Sequence, residues 1–238
     1  MSLETTFGLL SSPAISVVRG AEIPYKPEHI GQSPIDIKNI DWSTQDDISK
    51  AVKVYTASKP EDAKEDSTVF NVIITSTVSN LEHTLAEEFM NTYEESALQK
   101  GVERGFWDSL EGTNATEAGK KSKTKVAFAQ LENVYSDNSS GLSGVIHSPR
   151  GFADIYKGKI EGKNLLSHVG TPVIAGAGYV STSNKIYETG PVEVLISEPL
   201  SFTETNTKDN TTVFIKEYTV VVSYMDGPIS TEIDLTLE

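Results

Sequence analysis

The apolar and polar positions of this chain change rhythm several times, and each change marks an element. Residues 68–78 (TVFNVIITSTV) are largely β-branched and predict one long strand. Ser79-Asn80-Leu81-Glu82 follows and has the form of a capping box, in which the serine oxygen takes a free backbone N–H and Glu82 reaches back. Apolar residues then recur at Leu81, Leu85, Phe89, Tyr93, Ala97, Val102, Phe106 and Leu110. Steps of four, broken once by a five, keep one stripe on one side and predict a helix over 79–110. At 1.5 Å per residue it would be about 48 Å long. Glu87, Glu88, Glu94, Glu95 and Lys100 fall on its opposite, wet face. Gly101 and Gly105 weaken it and predict a bend.

A second helix is predicted over 125–137, with Val126, Phe128, Ala129, Leu131 and Val134 as its apolar residues. Beyond it the pattern gives a strand at 144–147 ended by Pro149, a short helix at 151–156 and a buried strand at 170–177. Further strands are predicted at 186–187 and 191–197, with polar loops at 112–124 and 157–164. Two closing strands, 211–222 and 229–237, flank Met225-Asp226-Gly227-Pro228, where Asp-Gly predicts a hairpin turn. Residues 1–67 show no such rhythm and hold Pro13, Pro24, Pro27, Pro34 and Pro60. Their apolar residues (among them Phe7, Leu9, Leu10, Ile15, Ile35, Ile37, Ile40 and Trp42) predict a segment that wraps around something, because solvated linkers lack such residues.

Composition narrows the chemistry. The chain has 238 residues, enough to bury a core without a disulfide or a structural metal. It has no cysteine, which removes thiolate ligands and a cysteine nucleophile. Its net charge of −14 argues against a broad basic face for nucleic acid or membrane. No apolar run approaches the roughly 20 residues of a membrane span, and the start, with Glu4 and no basic residue before the apolar stretch, makes a poor signal peptide.

The catalytic motifs fail one by one. Gly176-Ala177-Gly178 lacks the third glycine of a dinucleotide loop, since position 181 is Ser. Gly119-Lys120-Lys121-Ser122 lacks the upstream glycine of a phosphate loop, since position 114 is Asn. His29, His83, His147 and His168 are too scattered for ligand spacing. His147 and Ser148 are neighbours on a strand and point to opposite faces, which is wrong for a nucleophile and its base. No catalytic, cofactor or metal site is therefore expected. An extended apolar-spotted arm and an over-long helix suit a subunit that buries surface on copies of itself.

The order of these pieces resembles that of tailed-phage major capsid proteins of the Hong Kong 97 type, whose fold encapsulins share. Local phrases are similar to those in capsid proteins of phages infecting actinobacteria: Gly101-Val-Glu-Arg-Gly-Phe-Trp107, Gly144-Val-Ile-His-Ser-Pro149, Gly170-Thr-Pro-Val-Ile-Ala-Gly-Ala-Gly-Tyr179, and Ile186-Tyr-Glu-Thr-Gly-Pro-Val-Glu-Val194. The resemblance covers roughly residues 70–238. It implies an α+β fold with an N-terminal arm (1–40), an extended loop (41–72), a peripheral domain (73–124) with a spine helix at 79–111, an axial domain (125–200) and a return to the peripheral domain (201–238).

The implied function is a virion shell built of hexamers and pentamers, assembled in the bacterial cytoplasm. It would enclose double-stranded DNA without reading its sequence, with a portal and decoration or scaffolding proteins as partners. Phe7, Leu9, Leu10, Trp42, Phe106, Trp107, Gly176, Gly178 and Tyr179 are the expected subunit contacts. Residues 170–179 are expected near a five- or six-fold axis. Removing residues 1–40 is expected to leave a folded subunit that cannot build shells. Other phage structural proteins (tail tube, decoration or head completion) and an encapsulin-like compartment shell are the alternatives.

Overall fold

The structure is a computed structural model that describes residues 7–23, 52–56, 67–79, 83–162, 164–179, 184–206, 211–234 and 236. In chain order its elements are β1 (Ser16–Arg19), β2 (Val52–Thr56), β3 (Ser67–Ser79), α1 (His83–Gly112), β4 (Thr116–Glu117), α2 (Thr124–Asn138), β5 (Val145–Pro149) and α3 (Arg150–Tyr156). They continue with β6 (Lys159–Glu161), β7 (Asn164–Leu166), β8 (Val173–Gly176), β9 (Lys185–Thr189), β10 (Val192–Ile196), β11 (Leu200–Asn206), β12 (Thr211–Tyr224) and β13 (Ile229–Glu232). One sheet runs β1-β10-β12-β3-β2, with β11 also paired to β12. A second runs β4-β13-β9-β5-β8, and β6-β7 form a small hairpin.

The first sheet is built on β3 and β12, paired antiparallel over thirteen positions from Ser67↔Ser223 to Ser79↔Thr211. Alternation puts Phe70, Val72 and Ile74 on one face, beside Val220, Tyr218 and Lys216 of β12. That face meets α1. Phe70, Val72, Ile74, Tyr218, Val220 and Val222 share the main core with Met90, Leu98, Val102, Phe106, Trp107 and Leu110. A methyl group on Gly105 would lie 2.5 Å from the Phe70 ring, so the missing side chain sets how closely helix and sheet approach. The second sheet carries α2 and α3, with Phe128, Leu131, Ile146, Phe152, Tyr156 and Ile186 in its own core. Phe128 and Tyr156 stack there with ring centroids 3.9 Å apart.

Several expectations change. Ser79 is the last residue of β3, opposite Thr211, the described part of α1 begins at His83, and the rest of the predicted capping box (residues 80–82) lies outside the described residues. Strand pairing claims the Ser79 backbone. The helix runs as one element through Gly101 and Gly105. Its predicted stripe is right in the second half, but Tyr93 is exposed while Met90, Leu98 and Trp107 are buried. Glu94 is not on a wet face: it takes the Lys216 ammonium at 2.6 Å and the Tyr218 hydroxyl.

Asp226 and Gly227 have the positive φ values (52° and 89°) of their turn, yet the turn closes no hairpin. β12 lies in the first sheet and β13 in the second, so the turn is a corner between sheets. β4 and β13 belong to the sheet of α2, and β10 to the sheet of α1.

The described part of the N-terminal arm lies on its own chain. β1 pairs in parallel with β10, Leu9 is fully buried and Ile15 nearly so, both within the main core. Part of the interior therefore lies within residues 7–23. Deleting residues 1–23 is expected to prevent folding or to lower Tm sharply, read by circular dichroism and thermal melting. Gly105→Ala is expected to cost about 1–3 kcal/mol from overpacking against Phe70. That is a fall of several degrees in Tm.

Candidate functional site

Six of the nine residues singled out from the sequence meet at one place, where the N-terminal segment, α1 and the loop after β8 converge. The centre is Glu103, a residue the sequence reading passed over. It is fully buried in α1. Its Oε1 accepts the Leu9 N–H at 3.0 Å and its Oε2 accepts the Gly178 N–H at 2.8 Å. Burial pushes its pKa above the ordinary carboxyl value, and the Gly178 and Leu9 amides pull it back down. One carboxyl thus fastens two distant segments to the helix.

The small residues Gly176 and Gly178 serve this junction. A methyl on Gly178 would lie 2.4 Å from the Lys100 carbonyl of α1, and one on Gly176 would lie 2.6 Å from the Tyr179 ring. Only glycine lets the loop sit this close to the helix. β8 is an edge strand, and the Ala175 N–H donates to the Phe7 carbonyl at 2.9 Å, so the N-terminal segment covers that edge.

Aromatic packing completes the junction. Trp107 stacks on Tyr179 with centroids 4.8 Å apart and meets Tyr187 edge-on at 5.1 Å. Phe106 meets His147 edge-on at 5.1 Å. His147 is buried with Nδ1 3.1 Å from the Tyr179 hydroxyl and Nε2 3.0 Å from Thr189 Oγ1. The Thr189 hydroxyl donates its one proton to the Gly190 carbonyl, so Nε2 carries the imidazole proton and Nδ1 accepts from Tyr179. Burial lowers the His147 pKa to about 3, which keeps the ring neutral. Ser148 donates to the Pro149 carbonyl and takes no part.

Leu9, Phe106, Trp107 and Tyr179 are therefore core residues of one chain, with almost no surface left for a neighbour, and Gly176 and Gly178 are buried beside them. Phe7 and Leu10 are half-buried. Trp42 lies outside the described residues. A signal for Glu103 does exist in the sequence. Phe106 and Trp107 stand three and four positions on, so the acid shares their helix face. A carboxyl on a buried face needs donors brought from elsewhere.

A second buried acid, Glu188 of β9, is nearly inaccessible, and its Oε2 has no hydrogen-bond partner among the described residues. Burial raises its pKa to about 8, with the negative charge of Glu132 adding to the effect. Tyr135 beside it is pushed up to about 12 by burial and by the charges of Asp226 and Glu188. Among the described residues, no group of three or more His, Asp or Glu is placed to hold a metal ion. No helix among them is long and apolar enough to cross a membrane.

The sign for Glu188 follows from linkage. The folded state keeps a proton that the unfolded state has released, so the contribution is whole below the unfolded value near 4.5 and is lost as pH rises through about 8. The slope is at most about 1.4 kcal/mol per pH unit. Glu188→Gln cannot ionise and is expected to flatten the fall of Tm between pH 5 and pH 8. Parallel melting profiles for the two proteins would contradict this.

No protein-family model matches the chain, and no curated protein matches it. Solved structures do match. A virus-like particle from Pyrococcus furiosus is similar over 98% of this chain and 92% of its own, with a TM-score of 0.50 at 10% identity. A structure from Mycobacterium phage Che8 is similar over 76% of this chain and 84% of its own, with a TM-score of 0.48 at 10% identity. One from Mycobacterium phage Cain is similar over 96% and 91%, with a TM-score of 0.48 at 9% identity. At such identities the likeness concerns the path of the backbone, and on that ground the chain has an α+β fold of the Hong Kong 97 type.

Proposed function

We propose that this chain is the shell subunit of a tailed-phage head, assembling as hexamers and pentamers into an icosahedral capsid around double-stranded DNA. The observation that carries the reading is the match to a virus-like-particle subunit over nearly the whole of both chains. In this reading the sheet of α1 forms the peripheral part and the sheet of α2 and α3 the axial part.

The net charge of −14 suits a shell that contains DNA without gripping it, because tight binding of phosphates needs lysine and arginine in quantity. Many weak identical contacts sum to a durable particle. Portal, decoration or scaffolding proteins would be its partners. A compartment shell that holds no genome is the second reading, favoured by the description of that same match as a virus-like particle.

The purified protein is expected to form closed particles tens of nanometres across in negative-stain electron microscopy. A compact monomer that persists at high concentration would overturn the shell reading. A cargo enzyme copurifying inside the particles would favour the compartment.

A further inference from the structure

The chain passes between the two sheets at Gly190-Pro191 and again at Met225–Pro228, and two buried polar groups meet beneath the end of α2 at this point. Glu188 of β9 faces α2. Its neighbours across the ladders, Ile229 of β13 and Ile146 of β5, belong to the core that α2 covers. A methyl on Gly144 would collide with Glu188 Oε1 and lie 2.9 Å from Tyr135 Cε1, so the carboxyl and the ring adjoin. A methyl on Gly190 would collide with the Met225 carbonyl and lie 3.2 Å from the Tyr135 hydroxyl, which sets that hydroxyl against both crossings. Neither Glu188 Oε2 nor the Tyr135 hydroxyl has a hydrogen-bond partner among the described residues.

The groups that face this carboxyl are acidic. α2 brings Tyr135 and Glu132, and the Glu132 charge adds to burial in lifting Glu188 to about 8. Glu132 is itself held by the Ser167 hydroxyl. The turn brings Asp226, whose charge acts on Tyr135. Lys185, Tyr187 and Glu232 alternate to the far face of the sheet, as does His147, which is neutral. Lys125, the base of α2, is exposed and about two turns before Glu132. β5, β13 and the turn hold no lysine or arginine. An ionised Glu188 would therefore stand in a dry site beside like charges, with no cation from these elements to meet it.

The same carboxyl reaches water when the end of α2 and the turn part. That contact is lightly held. Ser140 gives its N–H at 2.9 Å and its hydroxyl at 3.1 Å to the Asp226 carboxylate, both at the surface. Water competes for such bonds and leaves them a modest net strength.

We propose that the end of α2 (residues 135–138) and the turn Met225–Pro228 form a proton-controlled joint between the two sheets, closed while Glu188 keeps its proton and opening to water as Glu188 ionises. The closed joint holds a proton that the open one releases. Opening therefore gains as pH rises from the ordinary carboxyl value of 4.5 to about 8, by at most about tenfold per pH unit.

Hydrogen–deuterium exchange, corrected for the intrinsic rate at each pH, reads the joint segment by segment. It does so in a monomer or a particle, so the proposal does not depend on the shell reading. Residues 135–140 and 225–230 are expected to be protected far less than residues 98–107 of α1. Their protection is expected to fall between pH 5 and pH 8, by up to about tenfold per pH unit. In Glu188→Gln, which cannot ionise, it should stay level. Tyr135→Phe removes the neighbouring hydroxyl but keeps the acid, and should retain the fall.

Protection equal to that of residues 98–107 would mean that the joint opens only with the whole fold, and would overturn the proposal. Low protection that ignores pH in the unaltered protein overturns it as well, and that result needs no variant to fold.

Discussion

The Glu103 carboxyl is the interaction on which the rest of the arrangement depends. It lies inside α1 and faces the interior, where an unpaired carboxyl would be costly. It is satisfied by backbone N–H groups from Leu9 and Gly178, residues 94 and 75 positions away in sequence. With those two bonds made, the N-terminal segment is seated. The Phe7 carbonyl then meets β8, and β1 continues onto β10. A hydrogen bond to a charged or buried group is worth more than a surface pair, and losing one partner strands the other in a dry site. The carboxyl therefore selects one path for the N-terminal segment over many of similar apolar content.

The two sheets are joined by a second device. The chain passes from β9 to β10 at Gly190-Pro191 and from β12 to β13 at Met225–Pro228, and these two crossings bond to each other. The Gly190 N–H donates to the Asp226 carbonyl at 3.1 Å, and the Met225 N–H donates to the Pro191 carbonyl at 3.2 Å. The Asp226 carboxylate also accepts the Ser140 N–H at 2.9 Å, which ties in the end of α2. Each sheet thus lends the other a strand at the same point. This corner holds the two sheets in a fixed relation in the absence of any disulfide.

These interior contacts alter what the surface has to do. The aromatic and glycine residues at the junction of helix, arm and loop are buried within one chain. The side of the first sheet away from α1 leaves Val18, Leu200 and Phe202 half in solvent. The acidic balance of the chain works against casual association, so matching of shape, rather than general stickiness, has to choose what covers it.

The sequence by itself determined the elements whose signals are local. The run of β-branched residues at 68–78, the second helix, the strand ended by Pro149 and the positive-φ turn at Asp226-Gly227 could all be recognised within a dozen residues. The order of those pieces was enough to suggest the fold. Tertiary structure decided what local patterns cannot contain. The strand extends to Ser79 because Thr211 across the ladder pairs with it. Asp-Gly fixes a turn but not which strands flank it, so a corner between sheets looked like a hairpin. Trp107, Tyr179 and Gly178 were visible as unusual residues. That they would meet around Glu103 depended on donors 94 and 75 positions away reaching one carboxyl, and no short window of sequence holds all three.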